Sequence, residues 1–428
     1  MKNLIRPEEK SEIIFALKRA FKKSKFWKKR LNDHGIKEED INDKFDFQKI
    51  PLLDKKTIIQ DQFENPPYGS ILSCEPSEIL RVHKTSGTTS APFLIFLTAN
   101  DIKDTISTAT KTFKAAGLND EDRIVHCLNF NMWSGGVTDY LSLEQTGATS
   151  IPFGSGNTAA LIDIIQKLKV NAISCTPSYM FKIKEKCEES GLNIKNLGLK
   201  KGFFGGENLL QISNIRKKIE NDFNINAIDA NYGLSEVLSI IGGEDHNKDG
   251  LIYNAHGMLY AELLDENLQS IEIKKGVVGE FVFSSLRREA QPLFRYRTND
   301  VVEVLDAYYD EDDLIRMRFK IKGRSDEMFN VKGVNFFPES LASILNEIEP
   351  NLSLKYKVKK LKYNKNIDFK PEVLIEKIYD NATFEKYNII EEKFKTLVKQ
   401  KINISIKIKW VEKNYFEKQG LNKINFTI

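Results

Sequence analysis

The chain has 428 residues, 41% hydrophobic and 29% charged, with a formal net charge of +4. At roughly 150 residues per domain, that length suggests about three units, or one large domain with a smaller one, and the apolar fraction is ample for a core. The basic excess is too slight to imply a nucleic-acid partner. The four cysteines, Cys74, Cys127, Cys175 and Cys187, form no C-x-x-C pair, and His126 beside Cys127 is not a metal-ligand cluster. A reducing cytoplasm is the simplest home.

The opening stretch MKNLIRPEEKSEIIFALKRAFKKSKFWKKRL is charged throughout and lacks the apolar core of a signal peptide. No stretch approaches the roughly 20 apolar residues of a membrane helix, so no membrane partner is expected. The basic, aromatic run KRAFKKSKFWKKR is read as a solvated helix face that buries Phe21, Phe26 and Trp27. Up to about Ser77 the chain reads as helices and loops, punctuated by Pro51, Pro66 and Pro67. SEILRV and FLIFLT are strand-like and flank the polar stretch HKTSGTTSAP. NTAALIDIIQKLKV has helical spacing, and NAISCTPS reads as a short buried strand closed by Pro177. LLQISNIRKKIENDF is a second amphipathic helix, followed by the strand INAIDANYG. Such alternation argues for βαβ units and mostly parallel sheets. From about Gly250 to Phe319 the texture is that of an antiparallel β subdomain. From about Gly323 a small α+β domain is expected, in which ISIKIKWV alternates as a half-exposed strand.

The polar loop carries chemistry. Backbone N–H groups and the hydroxyls of Thr85, Ser86, Thr88 and Thr89 gather where Gly87 permits close approach, and such a nest suits a polyphosphate. It is not a Walker loop, because the Gly-Lys-Ser/Thr ending is missing. NYGLSEV places Tyr232, Ser235 and Glu236 on one turn, an aromatic ring for a base and a carboxylate for Mg²⁺. FRYRTND ends in Asp300, a carboxylate suited to a ribose diol. Arg324 and Asp326 sit at the expected domain boundary. Each has a plainer alternative: Tyr232 as core, Asp300 as a turn cap, Arg324 as a surface ion-pair partner.

The order of these blocks resembles that of the adenylate-forming enzymes, in particular the phenylacetate–CoA ligase-like branch, which includes capsule-biosynthesis relatives. The resemblance runs from IPLLDKKT to NFFP and rests on RVHKTSGTTSAP, WSGGVT, GATSIPFGSGNT, CTPSY, FGGENL, YGLSEV, GVVGEF, RYRTND and GRSDEMFNVKGVNFFP. It implies an α/β fold with a large N-terminal AMP-binding domain, residues 1–322, built of parallel sheets with helices and a β subdomain. A small mobile α+β domain, residues 323–428, would follow. It implies that a small carboxylic acid, aromatic or otherwise, is activated by ATP to an acyl-adenylate and passed to a thiol, usually coenzyme A. Transfer to a carrier-protein thiol or an amine stays open, as does a nucleotide-binding pseudoenzyme. A homodimer is also left open.

By the same resemblance, Ser86, Gly87, Thr88 and Thr89 would hold the β- and γ-phosphates. Gly205, Gly206 and Glu207 would lie along the adenine, with Tyr232 stacked on it and Gly233 and Ser235 beside it. Glu236 would bind Mg²⁺, Asp300 the ribose hydroxyls, and Arg324 the ribose or phosphate. Asp326 would be the hinge, and Lys332 and Gly333 would face the thiol. Phe130, Trp133, Gly135 and Gly136 would line the acyl pocket, with Gly206 restoring room opposite the large Trp133.

Three departures stand out. Ser90 replaces a usual second glycine. The cysteines of a zinc site are missing near His246 and His256, so no structural zinc is expected. The chain ends FEKQGLNKINFTI, where one register sets Leu421 at the position of the family's catalytic lysine and the other sets Lys423 there. Lys423 is favoured, since Asn can replace Gly in a tight turn at little cost.

Overall fold

The computed structural model describes residues 7–85, 93–207, 213–311, 314–331, 334–352, 355–359, 370–378 and 384–419. The chain divides into two compact units, Met1–Leu210 with Ile219–Ile321, and Gln211–Lys218 with Lys322–Ile428.

The first unit opens on α1 (Pro7–Lys23), α2 (Lys25–Asp33) and α3 (Lys55–Glu64). Ser24 breaks the first two apart and caps the second, its hydroxyl accepting the Trp27 N–H at 3.2 Å. Phe21 and Trp27 are buried, and Phe26 packs half-buried against the same core. The Trp27 indole donates to the Pro292 carbonyl at 2.9 Å and meets Phe294 edge-on at 4.9 Å. The basic run thus presents its lysines to solvent and its rings inward. The strands β1 (Arg81–Lys84) and β2 (Leu94–Leu97) then pair antiparallel, with Lys84 opposite Leu94. They flank the polar loop, whose residues 86–92 lie outside the described residues.

Alternation follows: α4 (Ala99–Ala115), β3 (Arg123–His126), α5 (Ser134–Glu144), β4 (Thr149–Pro152), α6 (Thr158–Lys167), β5 (Ala172–Cys175), α7 (Pro177–Glu189), β6 (Lys201–Gly205), α8 (Ser213–Phe223) and β7 (Asn226–Leu234). Local chemistry sets several starts. Thr98 and Asp101 exchange hydrogen bonds of 3.2 and 3.1 Å in a capping box that opens α4. Asn157 caps α6 by accepting the Ala160 N–H at 3.1 Å. As expected, the short buried strand β5 ends just before Pro177, which also opens α7, where a missing N–H has no intrahelical partner to lose.

The strands β3 to β7 pair in parallel, in the order β7-β6-β5-β3-β4. Next, β8 (Leu238–Gly243) returns antiparallel on β7, with Tyr232 opposite Gly242. The chain continues through β9 (Leu251–Tyr253), β10 (Leu259–Leu264), β11 (Ser270–Ile271), β12 (Val278–Ser285), β13 (Tyr296–Tyr309) and β14 (Ile315–Arg324). The β-rich stretch is therefore not a separate sheet. It shares one twelve-stranded ladder with the parallel strands, because β7 is hydrogen-bonded on both edges.

The second unit is α+β. The hairpin β15 (Phe329–Val331) and β16 (Val334–Phe336) leads to α9 (Ser340–Ile348). There follow β17 (Tyr356–Val358), β18 (Glu372–Glu376), α10 (Phe384–Ile402), β19 (Lys407–Val411) and α11 (Tyr415–Lys418). β18 and β19 are parallel, so α10 is the crossover such a pair requires. Along β19 exposed Lys407 and Lys409 alternate with half-buried Ile408 and Trp410. Among the described residues no helix is long and apolar enough to cross a membrane.

Trp27 joins the N-terminal helices to the segment before β13, so Trp27→Ala should lose both its packing and its hydrogen bond. We expect a destabilisation of about 3–5 kcal/mol, read as a lower urea midpoint. A loss below about 1 kcal/mol would show that the cavity collapses and that the anchor is dispensable.

Candidate functional site

A cavity of about 190 Å³ opens in the first unit. Trp133, Ser134 and Gly135 at the start of α5 form one wall, and Gly206 and Glu207, just after β6, form another. Asp229 and Asn231 to Gly233 on β7, with Ser235, Ser239 and Ile321, complete it. Gly206 follows the carboxyl end of a parallel strand, the usual place for a ligand in an open α/β sheet.

Three glycines shape the walls and their approach. Gly206 has φ +76°, and a Cβ there would stand 3.4 Å from Trp133 Cη2, so this glycine faces the indole. A Cβ on Gly136 would come within 2.3 Å of the Asn129 carbonyl, so α5 can begin this close to the preceding loop only with glycine there. The same indole covers Gly135, whose added Cβ would touch it at 3.0 Å. Glu207 accepts the Ser178 N–H at 3.0 Å and the Ser178 hydroxyl at 2.7 Å. Its carboxylate therefore caps α7, and its negative charge suits that helix end.

On the other side, the Tyr232 hydroxyl donates to Asp300 at 3.0 Å, while its ring lies against Phe319 at 5.3 Å. Tyr232 is thus both core and cavity wall, and Asp300 is fixed beside it. Ser235 bonds Ser134 at 2.6 Å, tying the turn after β7 to the start of α5. Glu236 is buried; its Oε1 accepts the Tyr296 hydroxyl at 2.8 Å and lies 3.2 Å from Lys55 Nζ. Its Oε2 meets no partner among the described residues, which is the free carboxylate oxygen a hard cation would take.

The structure thus brings together Gly205, Gly206, Glu207, Tyr232, Gly233, Ser235, Asp300, Trp133 and Gly135, with Gly136 and Glu236 adjoining. Phe130 packs instead against His126 and Tyr140, at 5.7 and 6.1 Å between ring centres. Arg324 and Asp326 lie in the second unit, where the guanidinium grips the carboxylate at 3.0 and 3.2 Å. Ser86, Gly87, Thr88, Thr89, Lys332, Gly333, Leu421 and Lys423 lie outside the described residues. Among the described residues no three His, Cys, Asp or Glu side chains gather as a metal-ligand set, and His256 is engaged by Arg316.

Sequence reasoning missed a polar cluster under α5. Asp139 is fully buried and accepts bonds from the Asn231 amide and, at 3.1 Å, from the Ser239 hydroxyl. Burial pushes its carboxyl well above the usual carboxylate range, against the opposing pull of these bonds. The available signal was an aspartate as the one charge in the helical stretch GGVTDYL. His126 was set aside as a non-ligand, and it has a structural task. Its Nε2 donates to the Gly136 carbonyl at 3.0 Å and its Nδ1 accepts from Ser174 at 3.1 Å, which fixes the glycine turn.

A glycine-walled cleft beyond a parallel strand, with an aromatic ring tied to a carboxylate, defines a small-ligand site of the nucleotide-handling kind. Residues 10–286 match the AMP-binding enzyme family. A phenylacetate–coenzyme A ligase of Pseudomonas putida is 31% identical over 85% of this chain and 80% of its own length. One from Escherichia coli K12 is 30% identical over 78% and 74%. The fold is also that of a 2-hydroxyisobutyryl-CoA ligase crystallised in the postadenylation state (TM-score 0.80, 21% identity, 98% of this chain and 88% of that one). The chain belongs to the AMP-binding, adenylate-forming enzymes, in their phenylacetate–CoA ligase-like branch, and is an acid–thiol ligase of the AMP-forming class.

Burial pushes the His126 imidazole down from 6.5 to about 4. Between those values the unfolded chain binds a proton that the folded chain refuses, so stability rises with pH through that window. It should fall on acidification from about pH 6.5 to about pH 4 and level off below. His83, lowered to about 4 mainly by burial, acts in the same direction. His126→Gln should flatten this slope in urea denaturation at successive pH values. An unchanged slope would mean that His126 is not its source.

Proposed function

We propose that this enzyme uses ATP to activate a carboxylic acid, aromatic or small and organic, to an acyl-adenylate, and then passes the acyl group to coenzyme A. The observation that carries this is the two-sided cavity. Trp133, Gly135 and Gly206 frame one side, suited to an acyl group. Tyr232, linked to Asp300, frames the other, suited to a nucleoside. Coenzyme A as acceptor is supported by the relatives' names, and a carrier-protein thiol or an amine is the competing outcome of the test.

In this reading Gly205, Gly206 and Glu207 lie along the adenine and Tyr232 holds its face. Asp300 takes the ribose hydroxyls with its carboxylate already oriented by the Tyr232 bond. Ser86 to Thr89 receive the β- and γ-phosphates. Mg²⁺ would supply charge neutralisation on those phosphates, held through Glu236, whose Oε2 fits that task. Holding two anions in line against their repulsion is the larger part of the work. The domains are residues 1–322 and 323–428, with Asp326 as hinge, Arg324 beside it, and Lys332 and Gly333 on the thiol side. Lys423 meets the carboxylate and α-phosphate during the first step.

ATP–pyrophosphate exchange across a panel of acids tests the reading. Exchange with any acid supports activation, and its absence with all of them points to a protein that only binds nucleotide. Adding coenzyme A or a carrier protein then identifies the acceptor. Glu236→Gln should keep the Tyr296 bond and the fold, yet slow exchange by roughly 10²-fold or more, since a neutral amide holds a hard cation poorly. Wild-type exchange in that variant would remove Glu236 from the site.

Lys423→Ala should slow adenylation by about 10²–10³-fold, the usual effect of deleting one preorganised donor at a developing charge. Thioester formation from a supplied acyl-adenylate should be nearly untouched. Adenylation within about threefold of wild type, under 1 kcal/mol, would shift the assignment to the Leu421 register.

A further inference from the structure

The Trp133 indole presents one edge to two glycines at once. A Cβ on Gly135 would stand 3.0 Å from both Cζ2 and Cη2 of the ring. A Cβ on Gly206 would stand 3.4 Å from Cη2 and 3.6 Å from Cζ2. The same two ring carbons therefore bridge the first turn of α5 and the residues just after β6. Thr176 Cγ2, where α7 begins, would lie 3.7 Å from that Gly206 position and backs the gap. The room that Gly135 and Gly206 leave by having no side chains is thus taken by the indole itself.

The neighbouring directions are closed as well. Gly136 packs on the preceding loop, where an added Cβ would come 2.3 Å from the Asn129 carbonyl oxygen and 2.8 Å from Phe130 Cα. His126 holds the Gly136 carbonyl at 3.0 Å, so this turn is fixed. The Phe130 ring lies with His126 and Tyr140 and beside Gly154, away from the cavity lining. The 2.6 Å bond between Ser134 and Ser235 ties the start of α5 to the turn after β7. What remains around the indole includes Asn231, Ser235 and Ser239, polar groups where a large apolar acid would need carbon. Size agrees with this. An apolar cavity of about 150 Å³ takes one benzene ring. The space of about 190 Å³ here has to serve both an acyl group and the nucleoside on the Tyr232 side.

We infer that Trp133 sets the size of the acid, and that the substrate is a short aliphatic acid, of the size of acetate, propionate or lactate, rather than an aromatic one. An aryl ring enters this side only by displacing the indole from between Gly135 and Gly206. This rests on the acid-activation reading above and narrows it to one class of acid.

The test is ATP–pyrophosphate exchange with acetate, propionate, butyrate and lactate against benzoate and phenylacetate. In the wild type the best short acid should exceed both aromatic acids by about tenfold or more in kcat/KM, because a ring too large for a firm pocket must push a wall aside. Trp133→Ala should shrink that ratio by about tenfold or more by admitting the rings. Trp133→Phe should move it in the same direction by less. Each ratio is taken within one protein, so loss of folded enzyme cancels out. If the indole instead stacked on an aryl acid, the wild type would prefer an aromatic acid and Trp133→Ala would lose that preference. That result, or a ratio unchanged in Trp133→Ala, would overturn the inference while leaving acid activation standing. Exchange with no acid at all would overturn both.

Discussion

Strand β7 is the constraint on which the rest of the first unit depends. It must pair in parallel with β6 on one edge and antiparallel with β8 on the other. Both ladders are perturbed there, at Phe204/Gly205 on one side and Tyr232/Leu234 on the other. These irregularities re-aim consecutive side chains rather than weaken the sheet. As a result one strand presents an amide toward α5 and a phenol toward β13, and the cavity forms where those directions part.

The segment leading into β13 answers it from across the sheet. Arg295 is buried and reaches Glu262 at 3.2 Å and the Gln48 and Ile50 carbonyls at 2.8 and 3.0 Å. Tyr296 holds Glu236, Arg297 grips Glu280 at 2.9 and 2.8 Å, and Asp300 receives Tyr232. Alternate side chains thus anchor the N-terminal arm and the candidate site from one stretch of backbone. Arg295 and Asn299 both adopt positive φ, 49° and 62°, within it. A residue in the left-handed region is maintained where its surroundings over-determine it, as the bonds of the buried guanidinium do for Arg295.

Much of this was legible in the sequence, and the reasons are local. Strand-forming composition marked β1, β2 and β7, hydrophobic alternation marked β19, and Asn157 marked the start of α6. The blocks around Gly206, Tyr232 and Asp300 carry special backbone or polar residues at fixed places, so their meeting in one site could be anticipated from order alone. What stayed hidden depends on tertiary pairing. The bond from Asn231 to Asp139 spans 92 positions, and that from Ser239 to Asp139 spans 100. No local pattern announces such a cluster. That Pro177 also opens a helix stayed hidden, because a proline after a strand and a proline opening a helix look alike in sequence. The continuity of the great sheet stayed hidden because it runs through the pairing of β8 on β7, and β3 and β4, at four residues each, are too short to show a period.

The ends of that sheet have a consequence of their own. At one margin stands β11, two residues long; at the other stands β4, whose last residue is Pro152. Proline offers no N–H to an incoming strand, and a two-residue margin offers almost no template. A ladder of twelve strands therefore finishes in two blunt borders. The large sheet thus offers a second copy no long run of edge backbone on which to continue it.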